Sequence, residues 1–211
     1  MSALVERLEF FTATDKLKSI QRANWVREDK RFETVAEHVW HTTLLAMLFA
    51  DAAPDNTDHN RVRDLLIVHD LVEVYAGDVP IWDQHDGDDL DAREHAAGVR
   101  LTGLLPEDQR ARLDPLWQEF QEQRTTEAQF ARAIDAIHPM IMSWFPPGIG
   151  HARAFQLTPT AIIERKQPLL QPYPELWNLA QWLVVQAVEQ GFIPGDETSS
   201  AIARELNSYG T

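Results

Sequence analysis

Val62-Arg63-Asp64-Leu65-Leu66-Ile67-Val68-His69-Asp70-Leu71-Val72-Glu73 is the stretch on which the reading of this chain turns. Apolar residues at 62, 65, 66, 68, 71 and 72 recur at the three- and four-residue spacing of one helix face, which predicts a helix with a buried stripe. Asp58 is placed to cap its start and Gly77 to stop it, so the helix is expected to run through His69 and Asp70. An imidazole and a carboxylate between apolar neighbours need partners, because burying either alone costs several kcal/mol (roughly 2–7 for an unpaired polar group). A metal ion is one such partner.

The same periodicity extends in both directions. Leu4, Leu8, Phe11, Leu17 and Ile20 suggest an amphipathic opening helix, followed by a polar and irregular segment from Arg22 to Phe32. Thr34 and Glu37 form a capping-box pattern that starts a helix carried by Val35, Val39, Leu45 and Leu48 and ended by Pro54. Asp83 to Asp91 is rich in Asp, His and Gly and reads as a solvated loop. Further helices are expected over Asp91–Leu105, Pro106–Arg124, Thr126–Trp144, Thr160–Leu169, Tyr173–Gln190 and Asp196–Tyr209. Pro146, Pro147, Gly148 and Gly150 interrupt the chain, yet apolar density continues beyond them. No stretch alternates convincingly as a strand would, so the expectation is an all-α fold with residues 1–211 in a single domain.

Composition narrows the function. With 19 Lys and Arg against 33 Asp and Glu, the net charge of −14 argues against a nucleic acid polymer as partner. Cysteine is absent, which removes disulfides, thiolate nucleophiles and Cys-ligated metals and fits a reducing compartment. Met1 to Ile20 lacks the basic-then-apolar pattern of a signal peptide, and no apolar run approaches the ~20 residues of a membrane helix. A cytoplasmic protein without membrane association is expected.

His38 and Asp135 are further polar residues in apolar settings on predicted helices. With His69 and Asp70 they offer two nitrogens and two oxygens, a set suited to Mn²⁺, Fe²⁺, Co²⁺ or Ni²⁺ with positions left for water and substrate. Taken singly, each reads equally as a satisfied buried hydrogen bond. Glu73, four residues after His69, is placed to handle a proton beside such an ion, or else is a solvated helix residue. Asp78 reaches a cleft or bonds its own turn. His41 and His138 share helix faces with His38 and Asp135, but four ligands already suffice. Arg22, Arg27, Lys30 and Arg31 form the one dense basic cluster, which would draw a phosphate or pair with nearby carboxylates. Trp25, Trp40 and Trp144 read first as core and only second as base-stacking residues.

The ordered set His38, His69-Asp70, Asp135 resembles the signature of the HD superfamily of metal-dependent phosphohydrolases. Leu17-Lys18, Arg22, Glu33-x-Val35-Ala36-Glu37-His38, His69-Asp70-x-x-Glu73, Gly77-Asp78-x-Pro80 and Leu105-Pro106-Glu107 are similar to the branch of bacterial 5'-deoxynucleotidases and their eukaryotic HD-domain relatives. The likeness is strongest over about 8–145, and about 150–211 reads as a helical C-terminal extension. The resemblance implies a helical HD bundle, commonly a homodimer, that hydrolyses deoxyribonucleoside 5'-monophosphates with one divalent metal (Mn, Co, Fe, Ni or Mg). It assigns the metal to His38, His69, Asp70 and Asp135, the water nucleophile to Glu73, the substrate site to Asp78 and substrate phosphate or sugar to Arg22. Alarmone hydrolases carry an Asp where Val74 stands, which lowers that branch. A phosphodiesterase or pyrophosphohydrolase on the same fold, and a helical interaction protein with a structural metal, are the other readings.

Overall fold

A helix that is apolar on nearly all sides can be stable only if other elements surround it, and the segment from Thr126 to Trp144 is of that kind. In the computed structural model, which describes residues 2–26, 31–80, 82–83, 89–145 and 156–208 without the side chains of 207 and 208, it forms the central helix of the fold. Ahead of it come α1 (Ala3–Thr14), a 3₁₀ turn (Asp15–Lys18), strands β1 (Gln21–Val26) and β2 (Arg31–Thr34), and α2 (Val35–Leu48). Next are α3 (His59–Val68), α4 (Glu73–Ala76), α5 (Leu90–Thr102) and α6 (Glu107–Glu122). The central helix is α7 (Thr126–Trp144), followed by α8 (Pro159–Leu170), α9 (Pro174–Glu189) and α10 (Glu197–Ser208).

The helix starts follow from side chains that satisfy exposed backbone N–H groups. The Thr34 hydroxyl accepts from the Glu37 N–H while the Glu37 carboxylate accepts from the Thr34 N–H, completing the expected capping box. Asp58 accepts from the N–H groups of Asn60 and Arg61, and Thr125 and Thr158 cap α7 and α8 in the same way. Proline occupies the first turn of α8 and α9, where its missing N–H is not needed.

Phe130, Ala133, Ile134 and Ile137 of α7 are fully buried and pack with Leu65, Leu66, Phe120, Ile162, Leu176 and Leu183 in one continuous core. Each such large side chain contributes roughly 1.5–3 kcal/mol relative to exposure. The core reaches from Ala46 to Ile193, so the helices after residue 156 share it with those before. A smaller cluster of Leu17, Val35, Val74 and Leu101 joins the start of the chain to α4 and α5.

Three expectations are corrected. The segment Arg22 to Phe32 is not irregular: its two ends form an antiparallel pair with Gln21 opposite Thr34, Trp25 opposite Phe32 and Val26 opposite Arg31. Its inward residues are Asn24 and Glu33, so no apolar alternation announces it, and the Trp25–Phe32 ring contact at 5.2 Å helps hold the pair. The helix through residue 69 is also interrupted. The His69 Nδ1–H donates to the Leu66 carbonyl at 2.7 Å, taking an acceptor that a continuing helix would offer to Asp70, and the chain turns through i→i+3 bonds from Val68 to Tyr75. Third, the apolar residues Leu4, Leu8 and Phe11 of α1 face outward, Phe11 being 74% exposed. Arg27, Lys30, most of the Asp83–Asp91 loop, the Pro146–Gly150 break and Tyr209 lie outside the described residues.

Candidate metal and phosphate site

Interruption of the helix at His69 is what gathers the polar residues. His69 and Asp70 sit in the turn between α3 and α4, His38 comes from α2 and Asp135 from α7. His38 Nε2 and His69 Nε2 lie 3.1 Å and 3.6 Å from Asp135 Oδ1. Asp70 Oδ2 is 3.1 Å from His69 Nε2 and 3.8 Å from His38 Nε2. Ligand atoms of His38, His69 and Asp135 all fall within 4.8 Å of one another. The sequence therefore located four residues that the fold brings together.

The donor chemistry suits a divalent cation. His69 is buried, its Nδ1–H is committed to a backbone carbonyl, and its Nε2 lies within ion-pair reach of Asp70 and Asp135 without a well-directed hydrogen bond to either. That leaves a fixed nitrogen facing two carboxylates, an arrangement that a metal ion satisfies. The electrostatics agree. Burial opposes the charged ring, but Asp70 and Asp135 outweigh it and push the His69 imidazole up to about 10. Asp70 and Asp135 are held below the usual carboxylate range, against their burial, by the facing imidazoles and, for Asp70, by Arg22.

Arg22 reaches this wall from β1. One of its nitrogens, Nη1, lies 2.8 Å from Asp70 Oδ2, 3.4 Å from Glu73 Oε1 and 3.1 Å from Asp78 Oδ1. Asp78 gets there because Gly77, at φ +76°, turns the chain in a region that L side chains rarely adopt. Arg22 is raised above its ordinary value because these carboxylates overcome the cost of burial. Glu73 opens α4 and is pushed up to about 10, first by burial and then by the charge of Asp70. Asp78 is raised mainly by burial. Arg31 instead makes a bidentate contact with Glu37 at the surface.

Arg22, Asp70, Glu73, Asp78 and Asp135 are among the residues that line a cavity of about 450 Å³. That volume is in the range of small-molecule sites. Several further residues stand around the site, of which Glu33 entered the sequence reading only as part of a motif and His138 only as a neighbour left out of the ligand set. Glu33 on β2 is buried with Oε1 3.4 Å from His38 Nδ1, and His138 packs edge-on against His38 at 4.8 Å while contacting His41 at 3.1 Å. Arg132, three residues before Asp135, lies 3.3 Å from its Oδ2 and covers the Phe120 ring at 4.4 Å. Helical spacing from Asp135 could have found Arg132. Lys166 carried no signal, sitting in the polar run Glu164-Arg165-Lys166-Gln167, yet it is 6% exposed and lines the cavity. Of the tryptophans, Trp25 pairs with Phe32, Trp40 is exposed beside His41, and Trp144 is buried against the cavity.

Burial lowers Lys166 from its ordinary 10.5 to about 8. Between those values the unfolded chain binds a proton that the folded chain does not, so stability rises with pH across this window. Wild-type protein is therefore expected to gain stability relative to Lys166→Met as pH goes from 8 toward 10.5, measured by denaturant unfolding at each pH. A constant difference would place the ammonium in water.

The HD domain family pattern matches residues 14–177. A crystal structure of a predicted metal-dependent phosphohydrolase from Magnetospirillum magnetotacticum MS-1 is 35% identical, with a TM-score of 0.82 over 91% of this chain and 96% of that one. The chain is 34% identical to the 5'-deoxynucleotidase HDDC2 of Homo sapiens over 61% of its own length, and 30% identical to that of Danio rerio over 64%. The matched stretch spans 62% of the human protein's length and 67% of the fish protein's. A conserved hypothetical protein from Pyrococcus furiosus shares the fold at 19% identity and a TM-score of 0.63, over 83% of this chain and 98% of that one. With its helical architecture, its clustered His and Asp residues and the family pattern matched over residues 14–177, the chain belongs to the HD domain family.

Proposed function

We propose that this chain is a metal-dependent phosphohydrolase that releases phosphate from deoxyribonucleoside or ribonucleoside 5'-monophosphates. The observation that carries the reading is that the buried His38 and His69 meet Asp70 and Asp135, two residues that line the cavity together with Arg22 and Glu73. The curated relatives named as 5'-deoxynucleotidases support the substrate class. His38, His69, Asp70 and Asp135 would hold one divalent ion, with Mn, Co, Fe, Ni and Mg as candidates. When bound, such an ion supplies Lewis-acid polarisation of a phosphoryl oxygen and makes a water more acidic.

The chain's own residues do the rest. Arg22 swings part of its charge from the carboxylates to the incoming phosphate, as a guanidinium fork can. Glu73 orients the attacking water and takes its proton, which requires the neighbouring charge of Asp70 to be answered by a cation so that Glu73 can ionise. Asp78 positions the sugar or the water. Water adds to phosphorus, the bond to the ester oxygen breaks, that oxygen takes up the proton Glu73 received from the water, and a nucleoside and phosphate leave.

The test is phosphate release from a panel of deoxy- and ribonucleoside 5'-monophosphates after stripping metal and adding back each ion in turn. Release that disappears on chelation and returns with metal supports the reading; release only from diesters or pyrophosphates would replace it. Glu73→Gln is expected to lower kcat by about 100- to 10,000-fold while metal content stays the same. Unchanged turnover in that variant would remove Glu73 from the proton transfer.

No described helix is long and apolar enough to cross a membrane. A cytoplasmic location fits the absence of cysteine, and a single domain over 1–211 fits the core shared from Ala46 to Ile193. A second copy of the chain as partner is supported by the outward Leu4, Leu8 and Phe11 of α1 and by Trp40, Met47 and Leu48 of α2, all exposed.

A further inference from the structure

Each of the two carboxylates assigned to the metal has its own arginine. Asp70 Oδ2 lies 2.8 Å from Arg22 Nη1, and Asp135 Oδ2 lies 3.3 Å from Arg132 Nη1. The oxygens of Asp135 are thereby divided: Oδ1 faces His38 and His69 at 3.1 Å and 3.6 Å, while Oδ2 faces Arg132. Both arginines line the cavity, although they come from different elements, Arg22 from β1 and Arg132 from α7. The Arg132 guanidinium stands over the Phe120 ring at 4.4 Å, and the buried Phe120 packs its ring 5.0 Å from that of His69. That stack holds the cation beside the ligand set.

Asp135 does not use up this guanidinium. An arginine and a carboxylate at their strongest form two parallel bonds of about 2.7–2.9 Å. Arg132 makes one contact with Asp135, longer than that, and its Nε is buried without a hydrogen-bond partner among the described residues. Its side chain is 26% exposed. Helical spacing alone explains a pair with Asp135, but it does not explain why the pair is loose and why the charge is turned to the cavity. An anion that enters the cavity explains both.

We propose that Arg132 is a second phosphate-binding arginine and that, with Arg22 and the metal, it gives each of the three non-bridging oxygens of a phosphomonoester its own cation, so that the site selects monoesters over diesters. The inference rests on the phosphohydrolase reading above and names the residue that sets its substrate class. A diester has lost one of those oxygens to a second carbon and carries one charge fewer, so one of the three cations then faces an oxygen that accepts poorly. A site built to donate to an oxygen discriminates strongly against an analogue that lacks it. Arg132 is suited to the role because a guanidinium can keep one N–H on Asp135 while another meets the phosphate.

The first arm of the test is calorimetric titration of the Mn²⁺-loaded full chain with inorganic phosphate and, separately, with the 5'-methyl phosphate diester of thymidine. Arg132→Met keeps an unbranched stem against Phe120 and removes the guanidinium. It should weaken phosphate binding at least about tenfold and diester binding less than about threefold, with bound Mn²⁺ unchanged. The second arm is steady-state kinetics with thymidine 5'-monophosphate, for which kcat/KM should fall about 100-fold. Arg132→Lys, which keeps the charge and loses the fork, should give a phosphate affinity between wild type and Arg132→Met, and it carries the test if the methionine variant does not fold.

Unchanged phosphate affinity in the folded variants, or an equal loss for phosphate and diester, overturns the inference. A fall in bound Mn²⁺ overturns it as well, since Arg132 would then act by holding Asp135. Phosphate binding that depends on Arg132, found in a protein that releases no phosphate from any nucleotide, would support the inference while overturning the proposed activity. Nucleotide turnover indifferent to Arg132 would do the reverse.

Discussion

Asp70→Asn should abolish metal-dependent phosphate release, lowering kcat by at least about 1,000-fold, equivalent to roughly 4 kcal/mol of barrier. No other side chain in the site is asked to do as much. One oxygen of Asp70 lies 3.1 Å from His69 Nε2, 3.8 Å from His38 Nε2 and 2.8 Å from Arg22 Nη1, so it belongs both to the ligand set and to the phosphate-facing cation. The amide keeps the shape and removes the charge. An imidazole nitrogen and a guanidinium then face a neutral group, and a divalent ion loses one anionic ligand of two. Phosphate release and bound-metal stoichiometry should fall together in this variant. Full metal content with full turnover would take Asp70 out of the ligand set.

Arg22→Met should be the most destabilising single change at the site, with a second and separate effect on substrate. Arg22 is the cation within reach of Asp70, Glu73 and Asp78 at once, and its side chain is 17% exposed. Removing one partner of a buried ionic cluster leaves the others uncompensated, at a cost of about 3–5 kcal/mol. For a chain of this size that corresponds to a fall in Tm of roughly 6–20 °C. Part of the loss should be regained on adding Mn²⁺, since a bound cation answers the same carboxylates. The KM for a nucleoside monophosphate should rise at least tenfold in the metal-loaded variant. Melts with and without Mn²⁺, followed by steady-state kinetics, separate the two effects. A variant as stable as wild type would mean that the three carboxylates are balanced elsewhere.

Most helices were legible because their ends are written in local chemistry. Thr34 with Glu37, and Asp58 before His59, announce caps that any nearby tertiary structure must respect. The four proposed ligands were legible because polar residues in apolar runs are costly unless paired. The hairpin was not legible, because Asn24 and Glu33 point inward where a strand pattern calls for apolar residues, and their burial is decided by contacts elsewhere. Nor was the break at His69. Apolar periodicity continues through it, and the competing hydrogen bond from an imidazole to the Leu66 carbonyl leaves no compositional trace. Lys166 is the plainest limit: a lysine in a polar helical run reads as solvent-facing, and only the packing of α8 over the cavity turns it inward.

The crowding of Asp70, Glu73 and Asp78 into one short stretch also bears on how the chain folds. In an unfolded chain these carboxylates are neighbours that repel one another, while the arginine facing them lies 48 residues away from Asp70 and 51 from Glu73. The His38–Asp135 contact spans 97 residues. Closing loops of that length costs entropy before any contact rewards it. Local helices such as α3 and α7 can form early from their own caps and apolar faces, but the site cannot. Its assembly waits for the hairpin to bring Arg22 onto the turn after α3, so the part of the molecule that would do the chemistry is also the part whose formation depends most on the rest having already found its place.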